Sequence, residues 1–430
     1  MDRPPLTPPP VPASLPHAAP DGRIASLDIV RGVAVLGIVV ANIIGLGQPM
    51  TAYTYPGAFL TPPTAWDDGL WGAQLVLIDG KLRALFTLLF GSGLVLFLRR
   101  AAARDAAGAR GPGAAALLAR RLGWLALFGF AHWLLLWRGD ILMSYALAGI
   151  LVMWLAPMAP HKQLALGLAA YLAGAAVRFA ASVPLAATAQ GNHAAGSGMA
   201  AMREAMLAAE SADLSDGQAE AGFQIAGDYA GMVAHTLHTH LSDLPIELGF
   251  AMLEAAPLAL IGMGLAGLGL VGGAIPRARL ALWGGVLWAI GTAATLPIAI
   301  WAAAGGVTYW DSFAAFNGWL PVPQLLSALG LMALLFAWAE GARGWLARRL
   351  GEAGRCAFTN YIGTSALALV IFPAWGLGLF GTLNRVELYA LVPVFWAVML
   401  AWPAWWLAHH RQGPLEWLWR RLTYGAAPAR

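Results

Sequence analysis

Ser26–Asn42, SLDIVRGVAVLGIVVAN, is the stretch whose reading decides the fold. It is an apolar run that nevertheless carries Asp28, Arg31 and Asn42. Arg31 and Asn42 are 11 residues apart, and eleven helical steps of ~100° return to within about 20° of the starting direction. Both side chains therefore share one helix face, roughly 16 Å apart along the axis. An arginine in hydrocarbon costs at least ~2.5 kcal/mol, so it is rarely turned toward lipid. Two readings follow. Either Arg31 snorkels to the headgroups while Asn42 ties helices together, or both line a polar path inside a helix bundle.

A soluble surface needs about 25 % charged residues; this chain has 11 %, against 59 % hydrophobic residues. Its 20 tryptophans and 51 glycines suit interfacial anchors and close helix packing. The composition is that of an all-α, polytopic integral membrane protein. A single cysteine, Cys356, excludes an internal disulfide and a thiolate metal cluster. The net charge of +4 is modest and gives no reason to expect nucleic acid. Residues 1–22 hold eight prolines and read as a disordered cytoplasmic tail. They contain no apolar stretch with a small-residue cleavage site, so the first span is expected to be an uncleaved signal anchor.

Working outward, ten stretches are apolar over bilayer-spanning lengths: 27–47, 70–98, 116–137, 139–156, 163–186, 245–272, 279–303, 321–340, 354–378 and 388–409. The turn Trp137-Arg138-Gly139-Asp140 makes the third and fourth a helical hairpin. Arginines cluster in alternate connections: Arg3 and Arg23; Arg99, Arg100, Arg104, Arg110, Arg120 and Arg121; Arg277 and Arg279; Arg343, Arg348, Arg349 and Arg355; and the tail with Arg411, Arg420, Arg421 and Arg430. The positive-inside rule then expects both termini on the cytoplasmic side of a bacterial inner membrane. The chain divides into the tail 1–22, spans one to five over 23–186, an extracytoplasmic insert 187–244, spans six to ten over 245–411, and a cytoplasmic interfacial helix with its tail over 412–430. The insert has the composition of short amphipathic helices, suited to a lid or to a passive connector. The segment GPLEWLWRRLTYG pairs aromatics with arginines, as a helix lying in the headgroup layer does.

Within the membrane, Asn42, Asp79, His132, Asp140 and Glu254 are expected at similar depth in the outer half. Asp79 and Arg83, spaced i,i+4, can pair along their own helix. A histidine with a carboxylate nearby is the minimal general-base arrangement. Thr359, Asn360, Tyr361, Thr364 and Ser365 form a polar band near the cytoplasmic end of span nine, there to bond across helices or to meet a ligand from that side. His235, His238 and His240 (HTLHTH) read as an exposed loop without a fixed carboxylate, so no metal site and no tightly bound cofactor are expected.

Five segments in order, SLDIVRGVAVLGIVVAN, IDGKLRALFTLLFGSG, HWLLLWRGDILMSYALAG, GRCAFTNYIGTS and GPLEWLWRRLTYG, resemble the bacterial YeiB-like proteins, which carry a C-terminal domain of unknown function, number 418. The resemblance covers nearly the whole chain outside the proline tail and the insert. It implies a branch of a wider transmembrane acyltransferase fold. That fold includes the acyltransferase-3 proteins, which O-acetylate surface polysaccharides, and the lysosomal heparan glucosaminide acetyltransferases. The acyltransferase-3 signature is an arginine followed after ten residues by a histidine; here Arg31 matches the arginine and Asn42 stands in the histidine's place. Heparan-type enzymes also have asparagine there and take their histidine from a following loop, whereas this chain has none between Asn42 and Asp79. Asp79 matches an aspartate of their second span.

The expected function is acyl transfer across the membrane from acyl-CoA to an envelope glycan or lipid. Arg31 and Arg83 would bind the donor, His132 oriented by Asp140 or Asp79 would act as base, and Asn42 would donate to the oxyanion. The rival is a transporter or export carrier in which Arg31, Asp79, Arg83 and Glu254 are substrate or proton sites. The topology is directly testable. A reporter fused after Arg430 is expected to read cytoplasmic, and tags within 187–244 to react with impermeant reagents on spheroplasts; protection of that insert would reverse the orientation.

Overall fold

The computed structural model describes residues 24–106, 108 and 112–425. The proline-rich segment 1–22 and Arg3, Arg23, Arg110 and Arg430 lie outside the described residues. Everything regular in the described chain is helical. The first half runs through α1 (Ala25–Gly47), α2 (Asp67–Leu77), α3 (Lys81–Ala106), α4 (Ala114–Leu135), α5 (Leu142–Val152) and α6 (Pro160–Gln190). Next come α7 (Gly198–Ala226) and α8 (Tyr229–His240). The second half holds α9 (Leu244–Gly267), α10 (Arg277–Ala304), α11 (Tyr309–Ala314), α12 (Pro321–Ala339), α13 (Trp345–Arg355), α14 (Ala357–Ile371), α15 (Arg385–Leu407) and α16 (Pro414–Tyr424).

Among the described residues, eight helical segments are long and apolar enough to cross a membrane, and Leu142–Leu155 and Ala357–Ile371 are shorter apolar helices. The protein is an all-α polytopic membrane protein. In the most apolar stretch of α1, 72 % of residues are buried inside the protein, against 22 % in α10 and in α15. That contrast makes α1 the axis of the bundle and leaves α10 and α15 with faces for lipid.

Two expected spans are not continuous helices. The second breaks between α2 and α3 at Ile78–Gly80, where Gly80 takes a positive φ of 72° and the Asp79 N–H bonds the Gln74 carbonyl. The turn lifts Asp79 out of the helical repeat, so its i,i+4 relation to Arg83 is lost. The ninth, expected over 354–378, follows amphipathic α13, which ends at Arg355, and is helical only as the 15-residue apolar α14, which stops at Ile371. Its polar band therefore starts at the beginning of a 15-residue helix, and Ser365 falls nearer the end that meets α7 and α8.

Small residues set the closest approach of α3 and α9. A Cβ on Gly91 would lie 1.9 Å from the Ala259 carbonyl oxygen, and one on Gly262 would lie 2.1 Å from that of Leu88. Both positions are therefore closed to any side chain, as in close transmembrane helix contacts generally. The insert folds as the hairpin α7–α8 and docks on one end of the bundle. Tyr229 donates to the Leu135 carbonyl at 2.8 Å, Ala374 N–H to Gln224 O at 2.9 Å, and Thr51 and Tyr309 to Asp213 at 3.1 and 3.0 Å.

At the opposite, arginine-rich end, α16 packs against α4 and α14. Glu416 of α16 accepts the Phe358 and Thr359 N–H groups at 2.8 and 3.0 Å. Those are orphan donors in the first turn of α14, and a carboxylate there also opposes the positive end of the helix dipole. Trp419 donates to the Arg121 carbonyl at 2.8 Å, and the Arg121 guanidinium stacks 3.5 Å over the Trp419 ring. The helix read from the sequence as an interfacial anchor is thus also a structural clamp.

Gly91→Ala is expected to destabilise the protein by at least about 1–3 kcal/mol, the usual cost of overpacking. The fall should appear in thermal unfolding in detergent. Gly285→Ala, at a position with no neighbour within 4 Å, should leave the midpoint unchanged.

Candidate functional site

The polar side chains singled out in the sequence do not form one path. His132 with Asp140, Glu254 with Arg83, and Asp79 fall in three separate buried groups, and Arg31 and Asn360 lie outside them. Arg31 lies 3.6 Å from Asp28, one turn away on α1, with 30 % of its side chain accessible.

The first group is built on the hairpin between α4 and α5. The chain turns back after Leu135, and Gly129 lets the two helices approach: a Cβ there would lie 2.5 Å from the Met143 nitrogen and 2.9 Å from an Asp140 oxygen. Asp140 Oδ2 accepts the Met143 N–H at 2.8 Å, in the first turn of α5. Its other oxygen lies 3.0 Å from His132 Nδ1, with both side chains fully buried. The distance is that of a hydrogen bond, although the N–H is not yet aligned on the oxygen. On the far side of the imidazole, Nε2 is 2.9 Å from Ser365 Oγ of α14. Tyr361, one turn earlier on α14, lays its ring 5.0 Å from that of His132, and its hydroxyl accepts the Ile141 N–H at 3.2 Å.

Ser365 lines a small cavity of about 30 Å³, room for a water or two, between the bundle and the α7–α8 hairpin. Gly45 and Leu46 of α1, Trp133 and Trp137, and Glu220 of α7 also line it. Arg31, Asn42, Asp79, His132 and Asp140 are not among its lining residues; of the His132 group, Ser365 reaches it. The break before α3 turns Asp79 elsewhere, and Arg31 sits at the other end of α1.

The second group surrounds Glu254 of α9, which is 3 % exposed. Arg83 NH2 is 3.1 Å from both carboxylate oxygens, Arg178 of α6 makes a very short ion pair with Oε2, and Gln324 of α12 donates to Oε1 at 2.8 Å. Arg178 also donates to Asn317 Oδ1 at 3.2 Å, within a π-helical turn, Ala315–Trp319, of the kind that recurs at functional positions. Arg83 therefore pairs with Glu254 and not with Asp79. Two arginines share one carboxylate, and 43 % of the Arg83 side chain remains accessible.

The third group contains Asp79, which accepts from Gln74 at 2.9 Å and from the Tyr53 hydroxyl at 3.5 Å. Gln74 in turn accepts from Arg385 at 2.8 Å and from Tyr389. Lys81 turns to the Leu75 and Asp79 carbonyls at 2.7 and 3.4 Å. Asn360 belongs to none of these groups: it donates to the Ala353 and Met399 carbonyls and accepts from Trp402 at 2.7 Å, which is an interhelical tie.

The HTLHTH segment is helical, as part of α8, and α7 supplies the carboxylate that the sequence reading found lacking. Asp216 lies 2.9 Å from His235 Nε2 and 3.2 Å from His240 Nε2, while His238 is exposed. Burial first, then the Arg138 guanidinium, holds the His240 imidazole below its ordinary range, with Asp216 pulling the other way. Arg385, Gln74, Gln324 and Asp216 carry no local sequence signal of a site, and Ser365 carries only that of the polar band it shares with Asn360. Each gains its role from a residue far away in the chain.

Residues 272–426 match a family described as "Protein of unknown function (DUF418)". The chain is 32 % identical over 415 residues to the uncharacterized protein YeiB of Escherichia coli strain K12, covering 94 % of this chain and 97 % of the relative. It is 26 % identical over 437 residues to the uncharacterized protein YxaH of Bacillus subtilis strain 168, covering 96 % and 97 % of the two. An uncharacterized 39.9 kDa protein from the amylase 3' region of Bacillus acidopullulyticus is 35 % identical over 134 residues, or 31 % of this chain and 34 % of that protein. No solved structure matches.

Removing one partner of a buried ion pair strands the other charge, at a cost of about 3–5 kcal/mol. Glu254→Ala is therefore expected to collapse the yield of folded protein and its thermal midpoint in detergent. Glu247→Ala, at an exposed position on the same helix, should change neither.

Proposed function

The chain belongs to the YeiB-like family of membrane proteins, and on that footing we propose that it transfers acyl groups by way of Ser365. The observation that carries the reading is one imidazole set between a serine and a buried carboxylate, with Nε2 toward Ser365 and Nδ1 toward Asp140. This is the working arrangement of nucleophile, base and orienting acid, recognised by geometry and not by order in the chain.

In the first half-reaction, Ser365 Oγ attacks the carbonyl carbon of an acyl thioester such as acyl-CoA as His132 Nε2 takes the hydroxyl proton. The carbon–sulfur bond breaks, and the departing thiolate receives that proton from the imidazolium. In the second, His132 deprotonates a hydroxyl or amine of an envelope glycan or lipid, which attacks the Ser365 ester and returns the serine hydroxyl. Asp140 stabilises the imidazolium in both halves. Arg31 lies 14 residues before Gly45 on α1, about 21 Å along its axis. It marks the end from which the donor's phosphates would be held, with the acceptor entering beside α7 and α8. Asn42 is not needed in this scheme.

A second reading, passage of an anionic solute or lipid-linked intermediate, draws on the Glu254 group. Arg83 and Arg178 exceed Glu254 by one positive charge, while Lys81 and Arg385 face Asp79 and Asp67. An uncompensated cation among membrane helices suits an anion in transit.

Detergent-solubilised protein incubated with acetyl-CoA and longer acyl-CoAs is expected to carry one acyl group on Ser365 by mass spectrometry of its peptides. Ser365→Ala should abolish the adduct, and His132→Ala should slow its formation by about 10²–10⁴-fold, the range for a lost general base. Acyl transfer that survives Ser365→Ala would remove the serine from the chemistry. Absence of any acyl-CoA binding would instead leave the carrier reading.

A further inference from the structure

The α7–α8 hairpin holds a second cluster, separate from Ser365 and from the ion pairs of the bundle. Asp216 Oδ1 is 2.9 Å from His235 Nε2, and Asp216 Oδ2 is 3.2 Å from His240 Nε2. All three ligand-type atoms lie within 4.8 Å of one another. We propose that Asp216, His235 and His240 bind a divalent transition-metal ion of the zinc class, which staples α7 to α8 over the cavity.

Three observations carry the assignment. His240 is 8 % exposed, and its Nε2 has no hydrogen-bond partner, because it is close to Asp216 Oδ2 but not aligned with it. Leaving such an atom unmade ordinarily costs about 1–3 kcal/mol; a cation among the three atoms would use its lone pair. The donor set is also the right one. Two imidazole nitrogens and a carboxylate oxygen are zinc's preferred non-thiolate ligands, held at about 2.0–2.2 Å, with a water in the fourth position. Small shifts of side chains already this close would supply that geometry. Finally, the surroundings are arranged for a ligand histidine. Thr239 Oγ1 lies 3.4 Å from His235 Nδ1, where it can accept that ring's N–H and so direct Nε2 inward.

Arg138 is the cation that such an ion must tolerate. It lies 3.7 Å from Asp216 but 3.0 Å from Glu220, which takes up its charge. Asp216 and Glu220 together exceed Arg138 by one negative charge, so the cluster as a whole favours a bound cation. The role follows from position, since Glu220 and Thr236 line the cavity that Ser365 faces. A metal crosslink between α7 and α8 would hold this roof in one shape.

The test uses full-length protein prepared without a polyhistidine tag, stripped with chelator and titrated calorimetrically with zinc chloride. One equivalent is expected to bind and to raise the thermal midpoint. Asp216→Asn, close to isosteric, and His235→Ala should each weaken binding by at least about 10-fold, the lower range seen even for residues that only support a metal ligand. His238→Ala should bind like the parent. Less than about 0.2 equivalents bound by the folded parent, or equal losses from His238→Ala and His235→Ala, would overturn the site. Neither result depends on whether Ser365 accepts an acyl group.

Discussion

A carboxylate that has left water must be answered by cations, and in this protein that requirement falls on Glu254. Its two oxygens collect Arg83, Arg178 and Gln324, so one side chain joins α3, α6, α9 and α12. Hydrocarbon offers no substitute partner, and partial satisfaction would be worse than an apolar contact. The helices can meet this way only because Gly91 and Gly262 bring α3 and α9 to backbone contact. Charge pairing and small-residue packing are therefore two halves of one constraint. Tyr145 extends it to α5 by donating to the Arg83 carbonyl at 3.2 Å and accepting from Thr87 at 2.9 Å.

The frame built on that constraint holds the His132 group at the end of the bundle beneath α7 and α8. Asp140 reaches His132 by local geometry, through a tight hairpin and the absence of a Cβ at Gly129. Ser365 reaches it by long-range geometry, from a helix whose first turn is capped by Glu416 of the C-terminal segment. Residues 132, 140, 365 and 416 thus form one mechanical unit although they span most of the second half of α4 to the chain's end. There the imidazole is buried, with a serine oxygen and a carboxylate oxygen both near 3 Å.

Much of this was legible in the chain as written. Apolar runs of bilayer length marked the helices, because in lipid a spanning backbone must satisfy its own hydrogen bonds. The Trp137–Asp140 turn foretold that Asp140 would fold back near His132. The i,i+4 spacing does not pair Asp79 with Arg83, because the turn at Gly80 separates two helices. In HTLHTH the i,i+3 pair, His235 and His238, diverges, while His235 and His240 converge on an aspartate from the neighbouring helix. In the polar band of span nine, nothing local distinguishes Ser365, which meets His132, from Asn360, which ties helices together.

By itself, the sequence determined that this is an all-α membrane protein, where its apolar helices lie, and to which family it belongs. Those properties follow from composition, periodicity and motif order, which are local or additive along the chain. Only the tertiary structure decided that Arg83 meets Glu254, that Ser365 meets His132, and that Asp216 meets two histidines. Each is a contact between helices far apart in the chain, set by crossing points, close glycine contacts and a broken helix. No residue's neighbours in sequence encode which distant face it will bury against.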